Sequence, residues 1–222
     1  MINRHSEFAR LIHVLFKTQK KEWRKRSNDS NVMKTRQELE FIGKWTFLNE
    51  NIIDKLPLNT NDTPTSFQAG KYVMPLPPLK KDGGFVPLLS LEYHPDGDFS
   101  LACLRLKVLM LQKAGNGLVG IGFRIESPES HCQDDGVGGI HDFYHAQLLK
   151  GIGYGPDFET PDWLPCSQPS FALWATDPID AILNLVLTLY GREFYQEFIT
   201  SITPKVNLSE EFKRLNERLI SR

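Results

Sequence analysis

Between residues 89 and 125 apolar and polar residues alternate, and two clusters of turn formers interrupt them; this pattern most limits what the chain can fold into. Leu89, Leu91 and Tyr93 alternate with Ser90, Glu92 and His94 before Pro95-Asp96-Gly97-Asp98 turns the chain. Residues 99–111 read as a second strand. Ala114-Gly115-Asn116-Gly117 is a second hairpin signal, because Asn and Gly accept positive φ at little cost. In the third strand Val119, Ile121, Phe123 and Ile125 share one face, with Gly120, Gly122 and Arg124 on the other. A period of two on successive segments joined by short turns specifies an antiparallel meander that buries one face. A polar loop at 127–139 leads to a fourth candidate strand at 140–149.

Helical signals flank this block. Across residues 2–27, Phe8, Leu11, Ile12, Leu15, Phe16 and Trp23 fall in one arc at about 100° per residue. Arg10, Lys17, Lys20, Lys21, Arg24 and Lys25 fall opposite. Thr35-Arg36-Gln37-Glu38 has capping-box spacing and predicts a second helix. Asp177-Pro178 starts a helix strongly, with Asp as N-cap and Pro at the first position. Ile179, Ile182, Leu183, Leu185, Val186 and Leu189 make that helix apolar almost all round, so it is the expected central buried helix. Gly191 ends or bends it, a further helix covers 193–202, and Ser209 can cap a last one.

Helices, then strands, then helices, without βαβ alternation, predict an α+β fold. The expected form is a four-stranded, mostly antiparallel meander packed by C-terminal helices, with an N-terminal helical extension. Residues 1–50 are that extension, 51–84 a Pro-rich connection and 85–222 the core domain; 222 residues suffice for one large domain.

The formal net charge of −1 is an average over unlike segments. Residues 1–36 hold ten Lys and Arg against three Asp and Glu, a surplus of seven; the remainder holds 16 against 24, a deficit of eight. The expected partner is therefore a protein or a second copy, with nucleic acid open to the basic helix through its phosphates. Three cysteines (Cys103, Cys132, Cys166) cannot all pair and form no spacing framework, which points to a reduced, cytoplasmic protein. The most apolar stretch, 181–190, is about half of the roughly 20 residues that span a bilayer, so no transmembrane segment is expected.

The densest reactive cluster is His141, Asp142, Tyr144, His145 and Gln147. Four-residue spacing puts both histidines on one face of either a helix or a strand, but only a helix brings them within reach of one metal. As a strand, His141, Phe143, His145 and Gln147 form one stripe and Asp142 and Tyr144 face away. His141 and His145 are candidate general bases and Asp142 a charge partner in a hydrolase or nuclease. No metal site is assigned, because no Cys-x-x-Cys or His-Glu-x-x-His motif is present. The glycines at 117–122 and 151–155 match no nucleotide-binding fingerprint, which leaves the cofactor unknown. Trp163 lies in an aromatic-rich connection with Phe171 and Trp174; these rings either anchor the loop across the sheet or build a partner surface. The leading expectation is a non-enzymatic binding protein that uses Lys17, Lys20, Lys21, Arg24, Lys25 and the aromatic loop, with Tyr144, Gln147 and Trp163 as further contacts.

Overall fold

The alternating segments pair as an antiparallel meander in the computed structural model, which describes residues 4–25, 70–76, 79, 86–114, 117–132, 142–148, 158–159, 170–204 and 206–220. In chain order the elements are α1 (Arg4–Lys25), β1 (Gly70–Pro75), β2 (Val86–His94), β3 (Cys103–Ala114), β4 (Gly117–Glu126), β5 (His145–Leu148), β6 (Phe158–Glu159), β7 (Phe171–Ala172), α2 (Pro178–Ile202) and α3 (Glu210–Ile220). The sheet runs β1-β2-β3-β4-β5-β7, and β6 adds a short parallel pairing to β4. The chain is α+β, its sheet otherwise antiparallel.

Register fixes which residues share a face. Leu91, Leu106, Ile125 and Ala146 stand opposite one another across β2 to β5, and Leu89, Val108, Phe123 and Leu148 form the neighbouring row. Leu89, Leu91, Leu104, Leu106, Val108 and Ile125 are buried. Phe8, Leu11, Ile12 and Leu15 of α1 join the same core, as do Ile179, Ile182, Leu183 and Val186 of α2. Each fully buried side chain of this kind contributes roughly 1.5–3 kcal/mol of transfer free energy, so the first half of α1 is structural. The helix predicted from Thr35 lies outside the described residues.

Three strands were not expected, β1 and the two-residue β6 and β7, all of which fall in stretches read as connections. β1 falls in the Pro-rich connection and pairs with β2, with Pro75 opposite Leu88 at its last position. It sits at an end of the described strand order, where a missing proline donor is tolerated. At the other flank of the meander, Asp177 accepts the Asp180 amide at 3.0 Å and Pro178 occupies the first turn of α2. Gly191 breaks α2 with φ 71° and ψ −174°, a conformation essentially confined to glycine, and both halves still bury apolar residues. Among the described residues no helix is long and apolar enough to cross a membrane.

The cysteines depart from expectation. Cys103, at the start of β3, is disulfide-bonded to Cys132, which follows a 3-10 turn at Glu129–His131. The bond joins residues 29 apart through the β3–β4 hairpin, so local spacing does not encode it. Cys166 lies outside the described residues.

Candidate functional site

The face of the sheet opposite the core carries charge in register. Glu92, Arg105, Glu126 and His145 form one row across β2 to β5, and Ser90, Lys107, Arg124 and Gln147 form the next. Cross-strand neighbours about 5 Å apart interact directly. His145 Nε2 lies 3.5 Å from Glu126 Oε2, and Arg124 Nε lies 3.2 Å from the same oxygen. Arg124 also donates through Nε to Gln147 Oε1 at 2.9 Å, and Gln147 donates to Ser170 Oγ. His145 Nδ1 is 3.1 Å from the Phe143 carbonyl. A carbonyl only accepts, so this nitrogen carries the proton.

These contacts sort the residues expected from sequence. His145 begins a strand rather than a helical turn, and it is only 1% exposed. Gln147 lies beside it on the polar face. Asp142 is exposed and accepts the Ser130 hydroxyl. Tyr144 is buried on the core side, while Phe143 stands exposed with its ring at 77° to that of His145, centroids 6.0 Å apart. Regular alternation thus begins only at His145, and the longer stripe does not form. His141 and Trp163 lie outside the described residues. Lys17, Lys20, Lys21, Arg24 and Lys25 belong to the second half of α1, beyond the buried stripe; their side chains lie outside the described set.

Above the first charged row, a cleft of about 340 Å³ opens at one end of β2 and β3. Glu92, His94, Asp96, Arg105, His131 and the Cys103–Cys132 disulfide line it. His94 Nε2 is 3.1 Å from Glu92 Oε1, and Arg105 approaches the same oxygen at 3.9 Å. Among the described residues no three His, Cys, Asp or Glu side chains are grouped to hold a metal ion. The sequence signal for this cleft was split between a strand end and a loop, which the disulfide and the Ser127–Leu104 hydrogen bonds bring together.

A second polar cluster lies on the helical side. Arg4 donates to Glu7 at 2.6 Å, to Asp177 and to the Asn207 carbonyl, while the Asn207 amide donates to Glu7 at 3.2 Å. Fully buried Asp180 accepts from the Thr176 amide and hydroxyl at 3.1 and 2.8 Å and from the Ser209 hydroxyl at 2.9 Å. Burial first, and the neighbouring Asp177 second, push its carboxyl up to about 6. Burial likewise raises the Tyr93, Tyr144 and Tyr195 phenols well above their ordinary range. This cluster fastens α1, the start of α2 and the approach to α3, and its enclosure makes it structural.

The described apolar surface is concentrated near β5 and β7. Phe171 and Trp174 are 59% and 57% exposed, and Leu148 and Phe143 are also exposed. Phe171 pairs with Ala146 across β5–β7, so it continues the apolar face past its buried part. Comparison with protein-family models, with curated proteins and with solved structures finds no match to this chain.

Proposed function

We propose that the chain is a non-enzymatic binding protein that engages a protein partner through the aromatic end of its sheet and the basic face of α1. The exposure of Phe171 and Trp174 carries this reading. Had they anchored the connection, burial would have removed them from water; instead both rings stay more than half exposed. Clustered exposed aromatics characterise binding surfaces. The partner's surface is apolar with an acidic rim, because residues 1–36 carry a surplus of seven positive charges.

A photo-crosslinking residue at position 174, compared with one at exposed Thr188 on α2, tests this in cells. The expected product is one protein adduct from position 174, absent from 188 and lost when Lys17, Lys20, Lys21 and Arg24 are reversed to Glu. Equal adducts from both positions, or a nucleic-acid adduct, would overturn it.

A hydrolase or nuclease built on His141, His145 and Asp142 is the second reading, favoured by the Glu126–His145 contact. Against it stand the burial of His145 and the engagement of Asp142 with Ser130. For location, a cytosolic chain would carry the Cys103–Cys132 bond as a transient or regulatory one, because disulfides persist mainly in oxidising compartments.

A further inference from the structure

The Cys103–Cys132 bond forms part of a cleft wall rather than sitting in the main core. Cys103 is buried, whereas Cys132 is partly exposed, so a solvent thiol meets Cys132 first. His131 precedes Cys132 and lines the same cleft, and its Nδ1 has no hydrogen-bond partner among the described residues. Ser127 Oγ lies 3.5 Å from Cys132 Sγ.

The base of the turn is held independently of the bond. The Ser127 amide donates to the Leu104 carbonyl at 2.9 Å, and the Leu104 amide donates to Ser127 Oγ at 3.0 Å. The turn carries its own hydrogen bonds, His131 to Pro128 at 2.9 Å and Cys132 to Glu129 at 3.1 Å. Opening the disulfide therefore loosens one cleft wall without unpairing β3 and β4.

We propose that Cys132 is a thiol-exchange site at which low-molecular-weight thiols reversibly open the Cys103–Cys132 bond and so regulate the cleft. A thiolate R–S⁻ attacks Cys132 Sγ; the R–S–Cys132 bond forms, the Cys103–Cys132 bond breaks, and Cys103 leaves as thiolate and takes a proton from water. A second thiolate then attacks the small-molecule sulfur of the mixed disulfide. It releases the oxidised small-molecule disulfide and the Cys132 thiolate, so two thiols are oxidised and one protein disulfide is reduced.

The test uses the full chain with Cys166→Ser, to remove the third thiol, and reads reduction by reduced glutathione through alkylation and intact mass. Direct attack predicts a rate that rises linearly with glutathione throughout. His131→Glu, which sets a fixed negative charge beside the attacked sulfur, should slow it by about fivefold, the scale of one charge contact at about 4 Å in water. In a Cys103→Ser background, oxidised glutathione should leave its adduct on Cys132; in Cys132→Ser, buried Cys103 should react far more slowly. A rate that plateaus at the global unfolding rate, or an adduct preferring Cys103, would overturn the proposal. Peptide mapping of the mixed disulfide trapped in the Cys166→Ser chain places the adduct without either further cysteine variant, so the outcome stands even if one of them fails to fold.

Discussion

Asp180 offers a sharp test of the buried cluster, because its neutral isostere should be more stable than the native residue. The carboxyl is fully buried, and Asp177 stands close enough to oppose its ionisation. Hydrogen bonds from Thr176 and Ser209 favour the charged form but do not offset these effects, and the folded-state value rises from 3.8 to about 6. An acid raised on folding holds its proton longer in the native state. Its contribution is thus fully present below about pH 4 and lost as pH rises through about 6. At 1.36 kcal/mol per unit, the loss is about 3 kcal/mol. In Asp180→Asn the amide oxygen can accept from Thr176 while the amide nitrogen donates to Ser209, so the cluster survives without the charge. Denaturant unfolding of both proteins from pH 4 to 7.5 should give equal stability near pH 4 and an advantage for the variant of about 3 kcal/mol at pH 7. A stability difference that stays constant across this range would refute the reasoning, since it would mean that Asp180 titrates alike in the folded and unfolded chains.

Other perturbations follow from the same contacts. Leu11→Ala should cost about 3–5 kcal/mol in chemical unfolding, because α1 fills the core; a cost near zero would mean a detachable arm. Arg4→Met leaves buried Glu7 and Asp177 without their cation and should cost about 3–5 kcal/mol, with partial recovery in the Arg4→Met/Glu7→Gln double variant. Gly191→Ala should lower stability by about 1–3 kcal/mol, although the space around it is open, because φ of 71° with extended ψ strains any residue with a Cβ. Replacing Cys103 and Cys132 together by Ala should cost about 3–4 kcal/mol, the closure entropy of a loop of this size.

How much of this could be read from residues alone depended on range. The meander was legible because Leu89, Leu91, Tyr93 and the turn at Pro95–Asp98 are local signals, and the start of α2 was legible because Asp177-Pro178 satisfies a cap within four residues. β1 was not, because Pro75 and the prolines that follow it hide a strand that an end position tolerates. The disulfide and the cleft were invisible, since β3 and the turn after β4 meet only when the hairpin forms. Of the reactive cluster, residue type and spacing correctly singled out His145 and Gln147 as neighbours on a polar face. Their partners Glu126 and Arg124 come from another strand, and no local pattern ties them together. Asp180, in the first turn of α2, is by its position a charge the helix dipole favours; its burial and the neighbouring Asp177 reverse that sign.

The docking of α1 also changes the meaning of its charge. Phe8, Leu11, Ile12 and Leu15 fix the helix's rotation on the core, and at about 100° per residue positions 17, 20, 21 and 24 centre on the opposite side. The i,i+4 pairs Lys17–Lys21, Lys20–Arg24 and Lys21–Lys25 each disfavour an isolated helix by about 0.2–0.5 kcal/mol. Core packing by the first half of α1 outweighs that cost without removing the repulsion itself. An acidic surface laid against the basic face would offset these repulsions with new opposite-charge contacts, and the effect would weaken as salt rises. Charge reversal at these positions should accordingly leave the core intact and slightly stabilise the free helix only if opposite charges alternate, as in a Lys20→Glu/Lys21→Glu pair, while abolishing capture of the proposed partner. Partner capture that survives that pair with melting temperature unchanged would locate the interface in the aromatic end of the sheet alone.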